Sequence, residues 1–385
     1  MSKILPYDIV IIGGGLSGLV VAQQIDSINT TTNPKKSWML LEARSKLGGR
    51  LENDTMGHEI DLGGAWIWPK HQPHIRNLVK KLGIETFTQP DDDDGSSTRI
   101  QGGAAEIVNR IAKTLPSENI RTSSPVLSCS RRVVTIQTTN NINNNESLAA
   151  NHVVTIKLES GEEIEARRVV LAAPPKLIAK HIEFDPPLSI AKTRAMEQSQ
   201  TWMAGVTKVA LVYKEPRFWP LSISNRGFRP GPPNQPAFQV YDSSPHDDKN
   251  TSLVSALTFF TLASISNAAD DDNATLAKHC AEQMVDHLVS NSRGDNVPRT
   301  VIDKLKEYDD FHVKRWPMEK YISEEKSPRA INPHPEPTPE LAKSEWGGQL
   351  LFAGTEADLS SPGVMEGAVV AAIRVVDELQ NIDEE

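Results

Sequence analysis

The chain opens with a strand, a glycine turn and a helix in direct succession, and no other stretch restricts its fold as strongly. The apolar run 8–12 leads into Gly13-Gly14-Gly15-Leu16-Ser17-Gly18, and a helix-like segment covers 19–28. A second apolar strand, 38–41, then ends on an acid, Glu42. That order describes a dinucleotide-binding βαβ unit. Gly13 permits the tight turn, Gly15 lets the backbone approach a pyrophosphate, and Gly18 lets helix pack closely on strand. The helix N-terminus offers N–H groups and a partial positive charge to phosphates. Glu42 is placed to accept hydrogen bonds from the ribose hydroxyls of the adenosine half.

The residues just past the acid bear on which dinucleotide is bound. Glu42-Ala43-Arg44 continues to Gly48-Gly49-Arg50, and then to Ile60-Asp61-Leu62-Gly63-Gly64-Ala65-Trp66. A nicotinamide-binding unit has no need of a second glycine pair and arginine just past its acid. These elements resemble the FAD-binding signature of the flavin amine oxidase superfamily, which includes monoamine oxidases, polyamine oxidases and L-amino-acid oxidases. At the far end, Leu351-Phe352-Ala353-Gly354-Thr355-Glu356 and Gly363-Val364-Met365-Glu366-Gly367-Ala368 are similar to that family's C-terminal flavin motif. The resemblance implies FAD held by Gly13, Gly15, Ser17, Gly18, Glu42, Ala43 and Arg44, with Gly49, Arg50, Gly64, Ala65 and Trp66 beside them. It further implies a backbone contact from Val126 to adenine. Gly354, Glu356, Val364 and Met365 close the site, Glu356 at the ribityl or pyrophosphate region and Met365 with its backbone at the pyrimidine edge of the flavin. A helix N-terminus there favours the negative charge that reduced flavin places near N1.

At 385 residues the chain can bury a large core and is expected to hold two domains. A net charge of -9 provides no basic footprint for nucleic acid. The two cysteines, Cys129 and Cys280, are read as reduced thiols of a cytoplasmic protein, their spacing giving no support to a disulfide. Residues 1–7 lack a charged-then-apolar signal pattern, and no run of 18 apolar residues suits a membrane span.

The expected fold is α/β. A discontinuous Rossmann-like FAD-binding domain is assigned to 1–70, 100–185 and 340–385, and an α+β substrate domain to 71–99 and 186–339. Helical spacing marks 74–82, 105–115 and 274–289. Strands are expected at 126–130, 133–138, 153–159, 166–173, 206–213 and 252–262, with an asparagine-rich hairpin tip at 140–151. Members of the resembling family usually carry a long helical insertion of the substrate domain after Pro90. Here an acidic run, Asp91 to Asp94, leads almost directly to Gly102-Gly103. The helical part of the substrate domain is therefore expected to be shortened, its pocket more open, and the acidic run a solvated loop.

The reacting end rests on fewer residues. In the resembling family a lysine on the strand before a Phe-Trp pair holds a water against flavin N5. Lys208, ahead of Phe218-Trp219, takes that position. Trp316, in Arg315-Trp316-Pro317, matches a tryptophan packed near the flavin. Both are candidate catalytic residues. Monoamine oxidases place a tyrosine just before the methionine of the C-terminal motif, where this chain has Val364. The region of the second cage residue, 324–327, is polar, and no cysteine is available for covalent attachment. Non-covalent FAD without a monoamine-oxidase-type cage is expected. The ten histidines show no metal-ligand spacing, and no metal is expected. The leading expectation is oxidation of a small-molecule amine to an imine, with O2 as acceptor and H2O2 released. A desaturase or dehydrogenase acting on another substrate, and a degenerate FAD-binding scaffold, are the alternatives.

Overall fold

The computed structural model describes residues 5–90, 92, 95–139, 146–220, 235–246, 253–262, 272–290, 297–323 and 334–384. The chain divides into two compact units: Met1–Gly49, Ile111–Gln200 and Pro335–Glu385 form the first, and Arg50–Arg110 with Thr201–His334 the second. Residues 50–70 and 100–110, grouped with the nucleotide-binding domain from the sequence, cluster with the second unit.

The first unit is α/β and Rossmann-like. Its sheet runs in the order Glu183–Asp185, Val126–Thr139, Glu146–Leu158, Glu163–Leu171, Tyr7–Ile12, Trp38–Leu41, Ile120–Arg121, with Leu350–Phe352 also paired to Glu163–Leu171. The strands around the glycine turn are all parallel, Tyr7–Ile12 lying between Trp38–Leu41 and Glu163–Leu171. Where they are buried on both faces they read as apolar runs, at 9–12, 38–41 and 169–171. Their carboxyl ends are tied together. Gly13 N–H donates to Leu41 at 2.8 Å, Ala172 N–H to Ile12 at 2.8 Å, and Ala353 N–H to Leu171 at 2.8 Å. In an open parallel sheet this edge is where ligands bind.

Helices Leu16–Ile28 and Met365–Glu384 pack on each other within this unit. The two strands expected at 126–130 and 133–138 are one, Val126–Thr139, paired antiparallel with Glu146–Leu158. In the sequence, Arg131 and Arg132 suggest a break. They sit opposite Val154 and Val153 in a ladder that is continuous from Ser128 onward, because pairing uses the backbone and tolerates polar side chains. The second strand also begins earlier than the expected 153, and the tip at 140–145 lies outside the described residues.

The second unit holds a four-stranded antiparallel sheet in the order Ala237–Asp242, Ser255–Leu262, Val206–Tyr213, Asp310–Arg315. A three-stranded sheet joins Trp66–Ile67, Thr98–Ile100 and Thr86–Thr88. Helix Asn273–Ser290 covers a core that includes Val209, Leu211, Phe259, Leu276 and Cys280. Helix Pro73–Lys81 ends at Leu82, and Gly83 takes φ +65° just beyond, donating to Lys80 as a C-terminal glycine should. Between this helix and the next, Ala105–Thr114, the described chain has strands and no helix, in keeping with a shortened helical part.

Of the acidic run, Asp91, Asp93 and Asp94 lie outside the described residues. Asp92 is tied down: its carboxylate accepts from the Ser97 N–H at 2.7 Å, and Ser97 is buried. No helix among the described residues is long and apolar enough to cross a membrane.

Candidate functional site

In the first unit the glycines divide by what surrounds them. Gly13 has φ +114°, and a Cβ there would stand 2.7 Å from the Ala172 carbonyl oxygen. A Cβ on Gly18 would stand 2.0 Å from the Gly13 carbonyl oxygen, so helix and strand approach this closely only through glycine. Around Gly15 a Cβ would meet nothing nearer than Gly49 Cα at 3.9 Å. Protein packing therefore leaves space at Gly15. The helix beginning there has neither a side-chain cap nor an acid in its first turn, and its leading N–H groups suit an anion.

Glu42 lies at the end of strand Trp38–Leu41 and is 6% exposed. Its carboxylate accepts from the Gly14 N–H at 2.6 Å through Oε2 and from the Arg44 N–H at 2.8 Å through Oε1. A carboxylate oxygen has two lone-pair directions, so each oxygen retains one for a hydroxyl. Burial raises the Glu42 pKa above the usual carboxylate range. The Arg44, Gly14 and Ala43 N–H groups and the Arg44 charge oppose that shift. A ribose diol donating to both oxygens would stabilise the charged form further.

The second glycine pair folds back on this turn. Gly48 N–H donates to Gly14 at 2.9 Å, and Arg44 Nη1 donates to the Gly49 carbonyl at 3.0 Å. Space at Gly15, uncapped helix donors and a two-sided carboxylate together fit a dinucleotide with a pyrophosphate and an adenosine ribose.

The C-terminal motif belongs to the same unit. The Ser17 hydroxyl donates to the Ala353 carbonyl. A Cβ on Gly354 would meet the Ala173 carbonyl oxygen at 2.9 Å. Glu356 is fully buried, and Thr355 Oγ1 donates to the Val364 carbonyl at 2.7 Å. Gly363 at φ +85° turns the chain into the helix that begins at Met365. Val126 is buried at the start of its strand.

The second unit holds the reacting-end candidates. Every residue of strand Val206–Tyr213 is buried, and Lys208 is 3% exposed, unlike the exposed Lys214 after it. Lys208 Nζ donates to the Gly63 carbonyl at 2.6 Å and the Asp61 carbonyl at 3.3 Å. It also lies 4.8 Å from the ring centre of Phe260, 5.5 Å from Tyr241 and 5.8 Å from Trp66. Trp316 Nε1 donates to the Leu62 carbonyl at 2.8 Å, and the Lys314 ammonium lies over its ring. Trp66 donates to Gln89 Oε1 at 2.8 Å and meets Tyr241 edge-on. Ala65 is buried, and Gly64 N–H donates to the Arg50 carbonyl at 3.1 Å.

Beside the lysine is a buried pair. The Asp61 carboxylate accepts from the Ala104 N–H at 2.6 Å and faces Arg99 Nη2 at 3.5 Å. Burial pulls the Lys208 pKa down to about 7, with the Asp61 charge opposing the shift and Arg99 adding to it. A side chain poised there carries or releases a proton near neutrality while its nitrogen stays fixed by two carbonyls.

The first unit thus gathers Gly13, Gly15, Ser17, Gly18, Glu42, Ala43, Arg44, Gly49, Val126, Gly354, Glu356, Val364 and Met365. The second gathers Arg50, Gly64, Ala65, Trp66, Lys208 and Trp316. The sequence reading missed Asp61, Arg99, Tyr241 and Phe260 as surroundings of Lys208. Asp61 lies within a motif already singled out. Arg99, Tyr241 and Phe260 sit in ordinary strands with no local mark. Residues 324–327, the region of the second cage residue, lie outside the described residues.

Residues 91–380 match the model of the family described as flavin containing amine oxidoreductase, and residues 11–82 match an NAD(P)-binding Rossmann-like domain. The chain belongs to the flavin containing amine oxidoreductase family, which implies a flavin cofactor. It is 37% identical over 86 residues to the nicotine dehydrogenase of Pseudomonas putida, covering 22% of this chain and 16% of that protein. It is 34% identical over 87 residues to the probable flavin-containing monoamine oxidase A of Dictyostelium discoideum, covering 22% of this chain and 18% of that protein. The matched stretch is thus less than a fifth of either relative's length. Among solved structures, putrescine oxidase bound to putrescine superposes with a TM-score of 0.69 at 17% identity, over 99% of this chain and 100% of that one. Cyclohexylamine oxidase from Brevibacterium oxydans IH-35A gives 0.69 at 16%, over 99% and 100%. At those identities the likeness is one of fold.

Proposed function

We propose that this protein is an FAD-dependent oxidoreductase that oxidises a small-molecule amine to an imine, with O2 as electron acceptor and H2O2 as product. The bound flavin would take a hydride at N5 and pass the electrons on. The observation that carries the reading is Lys208: a buried cation with its nitrogen pinned by two carbonyls and lined by three aromatic rings, in a chain of this family. The aromatic faces of Trp66, Tyr241 and Phe260 suit a site that excludes water, and the fixed ammonium suits stabilisation of charge that develops during the reaction. The proposed catalytic residues are Lys208 and Trp316. The proposed cofactor contacts are the other residues named for FAD from the sequence, and the first compact unit is the proposed core of the FAD-binding domain.

The cysteines support non-covalent attachment. Cys129 and Cys280 are free and buried, and no cysteine follows position 280. Burial pushes the Cys129 thiol up to about 12, which keeps it protonated and a poor nucleophile toward a flavin. The similarity to a nicotine dehydrogenase favours a second reading, in which an acceptor other than O2 takes the electrons.

Purified protein separates the two. A flavin spectrum together with peroxide release from a panel of monoamines, polyamines and amino acids is the expected result. Amine-driven bleaching of the flavin without peroxide would select the dehydrogenase reading, and a flavin-free protein would reject both.

A further inference from the structure

The second unit contains a cluster that the proposed function does not use. Asp54, His58 and His312 bring three ligand atoms together. His58 Nδ1 is 3.6 Å from Asp54 Oδ2, His312 Nε2 is 3.9 Å from the same oxygen, and the two imidazole nitrogens are 3.5 Å apart. Asp54 is buried and both histidines are partly exposed. From this geometry we infer a binding site for one divalent zinc-class cation, held by His58, His312 and Asp54, with a fourth position open to water.

The distances suit that ion. The nearest point equidistant from the three ligand atoms lies in their plane about 2.1 Å from each, and an ion raised from that plane toward a fourth ligand sits about 2.2 Å away, close to zinc–imidazole and zinc–carboxylate bond lengths. Two nitrogens and one oxygen favour zinc, cobalt or nickel, whereas calcium and magnesium call for oxygen ligands. Both rings turn a nitrogen toward the carboxylate oxygen and toward each other, the convergence that a shared cation requires. The oxygen ligand is already oriented. Asp54 Oδ1 accepts from the Ile60 N–H at 2.8 Å, and Oδ2 accepts from the Met56 and His58 N–H groups, both at 2.9 Å, so a cation at Oδ2 takes the place of one of those two bonds while the others hold the carboxylate. Outer hydrogen bonds of this kind fix a ligand's direction before the metal arrives.

The location gives the ion a structural task. Asp54 and His58 lie on a loop closed by the Asn53–Asp61 bridge, while His312 lies opposite Ala210 in the sheet. An ion here would clamp that loop to strand Asp310–Arg315. Sequence spacing could not reveal it, because His312 is 254 positions from His58.

Equilibrium dialysis of the chelator-treated full chain against Zn2+, and visible spectroscopy with Co2+, test the inference directly. The expected result is one tight equivalent per chain, with the intense visible absorption of four-coordinate Co2+. His58→Gln and His312→Gln, both at partly exposed positions, should each weaken that equivalent at least tenfold while leaving the far-UV circular dichroism unchanged. Absence of a bound equivalent in the wild-type chain at a hundredfold metal excess would overturn the inference. So would affinity retained within threefold in either folded variant. Neither readout depends on flavin or on turnover.

Discussion

Lys208 and Trp316, on neighbouring strands of one sheet or just beyond its end, donate to consecutive carbonyls of a single tripeptide. Lys208 Nζ takes Asp61 and Gly63, and Trp316 Nε1 takes Leu62 between them. The stretch 61–63 is thereby held by two side chains through its backbone alone, and the Asp61 carboxylate remains for Arg99 and Ala104. A Cβ at Gly63 would stand 2.0 Å from the Arg50 carbonyl oxygen, and the Gly63 N–H donates to the Glu52 carbonyl at 3.1 Å, so the same stretch also packs closely on 50–52. The two residues singled out as catalytic candidates thus share one piece of backbone.

Trp316→Phe isolates one side of this arrangement. The smaller ring leaves a buried cavity, and the Leu62 carbonyl loses its donor. An unsatisfied buried group costs about 1–3 kcal/mol. Urea unfolding should show a loss of at least that size with an unchanged slope. A stability equal to wild type would mean that water replaces the indole N–H.

The glycine turn offers a sharper contrast. Gly15→Ala has room, at φ -76° and with only Gly49 Cα at 3.9 Å, so the chain should fold as before. Its new methyl group enters the space assigned to the pyrophosphate, and FAD retention should drop at least tenfold. Gly18→Ala drives a Cβ into the Gly13 carbonyl and should destabilise by roughly 1–3 kcal/mol or more even without cofactor. Thermal melts of the cofactor-free variants, and then flavin titration, distinguish the two. Equal loss of stability in both would remove the distinction between packing glycine and ligand glycine.

These contrasts also explain what is legible in the sequence. The glycine turn, strand 38–41, strand 206–213 and the helix-ending Gly83 are local: each is enforced by positive φ, a close approach or an apolar run within a few residues. The surroundings of Lys208 are not local. Tyr241 and Phe260 look like any strand aromatics until antiparallel pairing sets Phe260 opposite Lys208. Arg99 comes from the three-stranded sheet, and no pattern in Thr-Arg-Ile announces that it meets Asp61. The arginines of strand 126–139 point to two strands only when side-chain polarity is read where backbone pairing decides.

Glu42→Gln tests the ribose contact with less damage than truncation. The amide retains one acceptor oxygen, but its NH2 would face a backbone donor, Gly14 or Arg44, and the charge is lost. Hydrogen bonds to charged groups are worth about 1.5–3 kcal/mol, so FAD should bind on the order of tenfold to a hundredfold more weakly. In the wild type, acidification through the raised Glu42 pKa should weaken FAD in the same way, since ribose hydroxyls bind the carboxylate form better. The variant should lose that acid dependence. An identical pH profile would detach Glu42 from the cofactor.

Lys208 makes the most demanding prediction because its charge, its burial and the proposed chemistry all meet there. O2 gains negative charge as it is reduced, and a preorganised cation beside it stabilises that charge; such effects are worth roughly 3–4 kcal/mol, or about 10²–10³ in rate. Lys208→Met keeps much of the side-chain length and removes charge and donors. It should leave FAD content and amine-driven flavin reduction largely intact while slowing reoxidation by O2 at least tenfold. Two pH effects accompany this, with opposite consequences. With a folded pKa of about 7, the ammonium is lost as pH rises through neutrality, so wild-type reoxidation should slow above that point. Stability moves the other way. Between about 7 and the ordinary lysine value the unfolded chain binds more protons than the folded one, so this group makes stability rise with pH across that window. Lys208→Met should flatten both profiles. Stopped-flow half-reactions and urea unfolding at pH 6, 7.5 and 9 measure them, and a variant that reoxidises at the wild-type rate with the wild-type pH dependence would reduce Lys208 to a support for residues 61–63.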